Sequence, residues 1–165
     1  MCGIGSTLEG FGINQFMYEF VLDKAWSSGI SDEDWVRTLA SRRTGRVDPH
    51  AENVWKTLTD SIYIAGSFSS QTPLTCARPC LEGYWSWTSI HNTRYDNGTL
   101  IRAWKELLEV PSDRDTYYSD VVNLGTQALG NHFAVLRDQF TAAYRASDLE
   151  AARSVADQML QILDD

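Results

Sequence analysis

Apolar residues recur every three or four positions along much of the chain, the spacing that places them on one face of an α-helix. The first such run predicts a helix from about Asn14 to Ser27, stopped by Gly29. A second helix is expected after Ser31, whose hydroxyl can accept a hydrogen bond from the free amides of the first turn. It has an acidic first turn and a basic last turn and ends before Gly45.

Asp48-Pro49 predicts the start of a third helix, because aspartate is a good N-cap and proline fits the first helical position. The apolar face of this helix is predicted to be Ala51, Val54, Trp55, Leu58 and Ile62. Between residues 66 and 98 the helical pattern stops, and serine, threonine, glycine, proline and clustered aromatic residues replace it. This stretch is interpreted as a long, ordered but irregular insertion, of the kind that usually serves a function or packs on a partner.

Helical spacing resumes near Thr99 and continues to Pro111, after which Ser112 is expected to cap a long helix. The predicted core stripe of that long helix is Tyr118, Val122, Leu129, Phe133, Leu136, Phe140 and Tyr144. Ser147 to Glu150 has the form of a capping box, in which a serine hydroxyl and a glutamate carboxylate satisfy each other's backbone amides. The inward-facing residues of the last helix are predicted to be Leu149, Ala152, Ala156, Met159, Leu160 and Leu163.

The last two helices, joined at Arg145-Ala146, are predicted to form an antiparallel hairpin. The pattern as a whole predicts a mainly α fold, a helical bundle or array interrupted by one long irregular loop. A chain of 165 residues is long enough for one domain with its own core. The six tryptophans are interpreted mainly as core residues, with a sugar-facing or partner-facing surface as the alternative.

The charge of the chain argues against two classes of partner. A net charge of −8 repels phosphate groups, so nucleic acid and anionic membrane surfaces are excluded as partners. Arg42, Arg43 and Arg46 form the one basic cluster, and they are interpreted as cations that complement the dipole at the end of the second helix. No apolar run reaches the roughly 20 residues that span a bilayer. The opening residues lack the features of a signal peptide and look like a cut glycine-rich loop.

The cysteines do not indicate a metal centre. Cys76 and Cys80 are separated by Arg78-Pro79, and His91 is the nearest further candidate ligand. A loop disulfide or free thiols are favoured over zinc, and no cofactor or metal is expected. His50, His91 and His132 are far apart in the sequence and show no Ser or Cys partner pattern, so no catalytic role is assigned to them.

The segment from Gly3 to Gly10 differs in kind from the rest of the chain. Its glycines let a backbone approach a ligand closely, and Glu9 stands just before the last of them. Glu9 is therefore the one candidate catalytic residue from composition. The alternative is a flexible terminus in which Glu9 is a solvated acid near a helix N-terminus.

The spacing of these residues adds a resemblance to a known family. The glycines, Glu9-Gly10, Asn14 and Tyr18 resemble the stretch around the nucleophilic glutamate of the α-N-acetylglucosaminidases, family 89 of the glycoside hydrolases. Further blocks follow in the family's order: Trp35-Val36, Ala40 with Arg42-Arg43 and Gly45, Ser61-Ile62-Tyr63, Arg78-Pro79 with Leu81, Ala103-Trp104, and residues 120–127. The sequence departs from the family at Leu8, at Gly12-Ile13 and at Thr44.

The resemblance implies a retaining glycosidase that acts on terminal α-linked N-acetylglucosamine. It implies that Glu9 is the nucleophile and that the acid/base partner lies upstream, on a (β/α)8 barrel that this sequence does not include. Residues 1–13 would be the end of that barrel and residues 14–165 the α-helical C-terminal domain. Glu19 and Asp23, the nearest acids in the sequence, are expected to face solvent.

The implied substrate is an N-acetylglucosamine-terminated glycan, and no individual sugar-binding residue is identified. Members of the family are secreted, periplasmic or lysosomal, while the sequence itself assigns no compartment. The chain is expected to be inactive alone and, where a barrel would cover it, to expose apolar surface that favours self-association. The alternative is a non-catalytic helical interaction module that docks a separate barrel subunit. Asn97-Gly98-Thr99 is a glycosylation sequence or, equally, a turn signal.

Overall fold

A computed structural model describes residues 15–27, 29–63 and 95–164, so Glu9 and most of the irregular insertion lie outside the described residues. The described chain is helical: α1 Gln15–Trp26, α2 Asp32–Thr44, α3 Pro49–Thr57, α4 Asn97–Leu108, α5 Asp115–Arg145 and α6 Leu149–Asp164. A π-helical turn, Leu58–Ile62, continues α3. The predicted mainly α fold is confirmed.

The ends of α2 and the start of α3 form as local sequence signals predict. Ser31 caps α2, and its hydroxyl accepts a hydrogen bond from the Asp34 amide at 3.1 Å. Gly45 ends α2 in the left-handed conformation, with φ 74°. Asp48 caps α3 by accepting hydrogen bonds from the amides of His50 at 2.9 Å and Ala51 at 3.2 Å.

The starts of the three later helices differ from the prediction. Helix α4 begins at Asn97 rather than near Thr99, because Asp96 accepts from the amide of Thr99 at 2.8 Å. Ser112 does not cap α5: its hydroxyl donates to the Thr44 carbonyl at 2.7 Å and so ties the loop before α5 to the end of α2.

The predicted capping box at Ser147 is also wrong. Ser147 has φ 58° and ends the turn that follows α5. The cap of α6 is Asp148, whose carboxylate accepts from the Ala151 amide at 3.0 Å. Only residues 146–148 separate α5 from α6, so α6 runs back antiparallel along the C-terminal part of α5, as the hairpin prediction requires.

The core lies where α2, α3 and α4 meet the N-terminal half of α5. Its fully buried side chains are small or aliphatic and include Leu39, Val54, Leu58, Leu100 and Leu107. Trp35 and Trp55 are also buried, which fits the core interpretation for these two tryptophans, whereas Trp26 at the end of α1 is 69% exposed.

The apolar stripe predicted for α5 is wrong over its first half and at Tyr144, which is 49% exposed. Phe133 and Leu136 are buried, but Tyr118 is 54% and Val122 is 63% exposed. The buried face there is instead made by Tyr117, Asp120, Leu124, Gly125 and Ala128. Gly125 is required at this face, because a Cβ there would lie 2.9 Å from Cζ2 of Trp104 on α4. The small residue at this position lets α4 approach closely, while Tyr118 and Val122 lie on the exposed face.

The inward face predicted for α6 is only partly correct. Ala152 is buried and Ala156 and Met159 are half-buried, but Leu149, Leu160 and Leu163 are exposed. The hairpin therefore leaves apolar side chains of both its helices on the surface. Among the described helices, none combines the length and apolar character needed to cross a bilayer.

Candidate functional site

Four side chains meet where α1, α2 and α5 come together, and they are here called the Arg43 junction: Gln15, Glu19, Arg43 and Asp120. The local sequence explains why an arginine points inward. Val36, Leu39, Ala40 and Arg43 follow helical i, i+3, i+4, i+7 spacing, so Arg43 shares the buried face of α2. Asp120 lies on the buried face of α5 in the same way.

Arg43 binds its partners through nearly the whole guanidinium group. Its Nε and Nη2 donate to the two carboxylate oxygens of Asp120, each at 2.5 Å. Its Nη1 donates to Glu19 at 2.9 Å, and its Nη2 also reaches the side-chain oxygen of Gln15 at 3.5 Å. This is the two-point geometry that a planar guanidinium forms with a carboxylate and that a lysine cannot reproduce.

Aromatic side chains surround the junction on the α1 side. The ring of Phe16 stacks on that of Tyr63 at 4.6 Å between centroids and meets the edge of Trp35 at 5.4 Å. The Arg43 guanidinium lies 5.7 Å from the ring centre of Trp55. These rings keep water away from the ion pair, which strengthens its electrostatic attraction and raises the cost of an unpaired charge.

The electrostatics of the pair follow from burial and charge. Burial works against the charged form of Arg43, but hydrogen bonds and charge from Asp120, with charge from Glu19, outweigh it and raise the Arg43 pKa. Burial raises the pKa of Asp120, and the hydrogen bonds from Arg43 oppose that shift. A two-point contact with a guanidinium favours the ionised carboxylate, so we interpret Arg43 and Asp120 as a charged pair.

Two further contacts extend the junction towards the surface. Arg42 bridges Glu19 at 3.3 Å and Asp23 at 3.2 Å, and the indole nitrogen of Trp35 donates to Asp23 at 3.0 Å. The expectation that Glu19 and Asp23 simply face solvent is therefore wrong, since both are held by arginines of α2. Arg42 and Arg43 do lie in the last turn of α2, as predicted, but Arg43 is buried and its guanidinium also binds Asp120 and Glu19.

The predicted catalytic residue, Glu9, lies outside the described residues, as do Cys76, Cys80 and His91. The first described residue, Gln15, comes six positions after Glu9 and belongs to the junction. Six residues span at most about 20 Å when fully extended. In the described ranges, no three His, Cys, Asp or Glu side chains are grouped to hold a metal ion.

A second polar cluster lies at the start of α4. The buried side chain of Asn131 donates to Tyr95 at 3.1 Å and to Asn97 at 2.8 Å, and it accepts from Gln127 at 2.9 Å. Asn97, the asparagine of the glycosylation sequence, is thus the first residue of a helix and its amide is engaged within the fold.

A surface groove of about 340 Å³ runs between α2 and α3. Its two cations are already paired with its own acids: Arg37 with Glu33 at 2.6 Å and Lys56 with Asp60 at 2.5 Å. These are exposed pairs between neighbouring helical turns, and such pairs contribute little to stability. Neither cation is left available to bind a ligand in the groove.

Comparison with known proteins gives two matches. The family model described as the α-N-acetylglucosaminidase (NAGLU) C-terminal domain matches residues 35–165. The α-N-acetylglucosaminidase of Homo sapiens is 28% identical over 178 aligned residues, which cover 100% of this chain. The same alignment covers 23% of the human protein, so the chain spans about a quarter of that relative's length.

Proposed function

The chain belongs to the α-N-acetylglucosaminidase (NAGLU) C-terminal domain family, and from that premise we propose that it forms the C-terminal part of a retaining glycoside hydrolase. The hydrolase releases terminal α-linked N-acetylglucosamine from a glycan. The observation that carries the proposal is the match of residues 35–165 to the family, joined by an alignment with the human enzyme that also includes the Glu9 segment.

In this proposal Glu9 is the nucleophile. Retention requires two carboxyl groups about 5–5.5 Å apart, one that attacks the anomeric carbon and one that protonates the leaving oxygen. The ester formed on Glu9 is then cleaved by water, from which the second carboxylate removes a proton. That second carboxyl group belongs to the preceding (β/α)8 barrel, of which residues 1–13 form the last piece.

Residues 14–165 form the helical domain that follows. The Arg43 junction supports this division, because it joins α1 to α2 and α5 directly after the Glu9 segment. Without the second carboxyl group and the sugar-binding residues of the barrel, the 165-residue chain does not hydrolyse glycosides by itself. The catalytic unit is the longer polypeptide.

The test compares two proteins on an aryl α-N-acetylglucosaminide. The purified 165-residue chain is expected to show no turnover, whereas the natural polypeptide that carries these residues and the barrel is active and yields an α-configured product. Glu9→Gln abolishes that activity, while Glu109→Gln, at an exposed position after α4, leaves it unchanged. Turnover by the short chain that Glu9→Gln removes contradicts the need for a barrel carboxylate, and full activity of Glu9→Gln contradicts the nucleophile role.

The exposed apolar side chains of the hairpin favour a second candidate function. Val122 on α5 and Leu160 on α6 are 63% and 58% exposed, which suits a helical module that docks a separately encoded barrel subunit. The coding sequence upstream of Met1 separates the candidates. A barrel in the same reading frame supports one polypeptide, a separate adjacent barrel gene supports a two-subunit enzyme, and the absence of any barrel supports a non-catalytic module.

A further inference from the structure

We propose that Arg43 is a positioning residue: through Glu19 and Gln15 it fixes the first turns of α1 on α2 and α5, and so sets where the Glu9 segment enters the helical domain. The inference rests on the proposed role of Glu9 as nucleophile. Arg43 touches neither substrate nor reacting atoms in this account, and it acts only through α1.

The two faces of α1 differ in what they contact. Phe16, Glu19, Phe20 and Asp23 follow i, i+3, i+4, i+7 spacing and face the domain, whereas Met17, Val21, Leu22 and Trp26 are exposed. The aromatic contacts hold α1 through the apolar surface that they bury, and stacked rings tolerate small rotations and translations. The bonds to Arg43 are directional, so they determine the rotation and height of α1 on its neighbours.

Arg43 is suited to this because its own position is fixed independently of α1. The two bonds to Asp120 hold the guanidinium on α5, and the Arg43 carbonyl accepts a hydrogen bond from Thr116 at 2.6 Å. The remaining donor, Nη1, then points at Glu19. The junction thus transfers the rigid placement of α2 on α5 to α1.

The position of α1 matters because Gln15 stands six residues from Glu9. A catalytic group must lie within about 0.5 Å of its productive geometry. A misplacement of about 1 Å from a distant change can cost on the order of 100-fold in rate. A loosened α1 is therefore expected to lower kcat. Substrate binding depends on the barrel, so KM is expected to change little.

The experiment weakens the bonds from Arg43 to α1 without removing its salt bridge to Asp120 on α5. Glu19→Gln removes the charged bonds that Arg43 and, at the surface, Arg42 make to α1, and it leaves the Arg43–Asp120 pair intact. The matched control is Glu33→Gln, which removes an exposed arginine–glutamate pair, at 2.6 Å, that lies wholly within α2. Both are made in the natural polypeptide that carries the barrel, and kcat, KM and the thermal midpoint are measured.

Glu19→Gln is expected to lower kcat about tenfold or more, with KM within about twofold and the midpoint within about 3 °C. Amide hydrogen exchange is expected to quicken in α1 alone. Glu33→Gln leaves all of these unchanged. A second variant, Gln15→Ala, removes the weaker contact to Arg43 together with the bond that Gln15 donates to Glu19 at 3.0 Å. It is expected to lower kcat by a smaller factor.

Two results overturn the inference. One is an unchanged kcat in Glu19→Gln while Glu9→Gln is inactive, which leaves the proposed function standing. The other is a loss of activity in Glu19→Gln with faster amide exchange across the whole domain, while Gln15→Ala has no effect. In that case the junction serves only the stability of the domain. An active Glu9→Gln variant instead refutes the proposed function itself, so the two failures are distinguishable.

Discussion

Arg43 and Asp120 stand 77 positions apart in the sequence, yet their side chains form a two-point salt bridge with both donor–acceptor distances at 2.5 Å. The Arg43 side chain is 6% and that of Asp120 is 8% exposed. A charge this deeply buried depends on its partner, because water cannot replace the lost bonds. The pair thus joins α2 to α5, and the contact between the two helices depends on both side chains.

Removal of either partner is expected to destabilise the chain strongly. Arg43→Met leaves the buried Asp120 carboxylate without its cation, and Asp120→Leu leaves Arg43 only its bonds to α1. Each change is expected to lower the free energy of unfolding by about 3–5 kcal/mol. The double variant replaces both charges by apolar groups and is expected to recover most of that loss. Urea unfolding of the three variants measures this, and single variants that each cost less than about 1 kcal/mol contradict the buried-pair assignment.

Gly125→Ala is expected to destabilise the chain although alanine is the better helix former. The added Cβ would lie 2.9 Å from Cζ2 and 3.0 Å from Cε2 of Trp104, so either the indole ring or the helix that carries it must shift. Overpacking of this kind costs about 1–3 kcal/mol, and after the roughly 1 kcal/mol gained in helix propensity a net loss of up to about 2 kcal/mol is expected. The control is Gly29→Ala, where nothing lies within 4 Å of the new atom. Chemical unfolding and Trp fluorescence report both changes, and equal stability of the two variants contradicts the contact.

Asp48→Ala is expected to lower the free energy of unfolding by about 1 kcal/mol, because two amides in the first turn of α3 lose their acceptor. Asp48→Asn keeps an acceptor oxygen at the cap position and is the matched control. It is expected to lower the free energy of unfolding by at most a few tenths of a kcal/mol. Thermal unfolding followed by circular dichroism measures the difference. An equal loss in both variants means that the charge, and not the cap, is responsible.

Tyr63 is expected to make the stability of the chain fall at alkaline pH. Burial, with the nearby charge of Asp120, raises the pKa of Tyr63 above its ordinary value of 10.0. The unfolded chain then releases this proton near pH 10 while the folded chain keeps it, so the contribution is complete below pH 10 and shrinks as the pH rises further.

The slope from this one proton is at most about 1.4 kcal/mol per pH unit. Tyr63→Phe is expected to flatten the alkaline decline of the free energy of unfolding, measured in urea at several pH values above neutrality. Tyr118→Phe, at a 54% exposed tyrosine, serves as the control for the chemical change. Identical pH profiles for Tyr63→Phe and the parent contradict the raised pKa of Tyr63.

The uncovered apolar surface predicts association of the isolated chain. Val122 and Leu160 stand on the exposed faces of α5 and α6. At high concentration, light scattering of the 165-residue chain is expected to show species larger than a monomer, and Val122→Lys with Leu160→Lys is expected to reduce them. The same two substitutions at exposed sites should leave the thermal midpoint nearly unchanged. A parent chain that stays monomeric throughout contradicts this prediction.

Local signals were sufficient where a cap and its helix are neighbours in sequence. Ser31, Gly45 and Asp48 act as predicted, because each cap bonds to amides or carbonyls within four residues. Ser112 and Ser147 have the same side chain as Ser31, but one is taken by the carbonyl of Thr44 and the other adopts a left-handed turn. A serine before a helix thus predicts an N-cap only when no distant acceptor or turn competes for that serine.

The buried face of α5 could not be found by counting large apolar residues. Its first half buries Gly125 because the Trp104 ring packs against that position, and it buries Asp120 because an arginine from another helix neutralises it. Both causes lie outside α5. The register of Arg43 behind Val36, Leu39 and Ala40 was the one available sign that a charge points inward there.

The short connection between α5 and α6 has a consequence for the order in which the chain folds. Only three residues, 146–148, must be ordered before the two longest described helices can pair, so the entropy lost in closing this loop is small. Contact between Arg43 and Asp120 instead closes a loop of 77 residues. We therefore expect the hairpin to form early and the ion pair to lock late, after the helices it joins already exist.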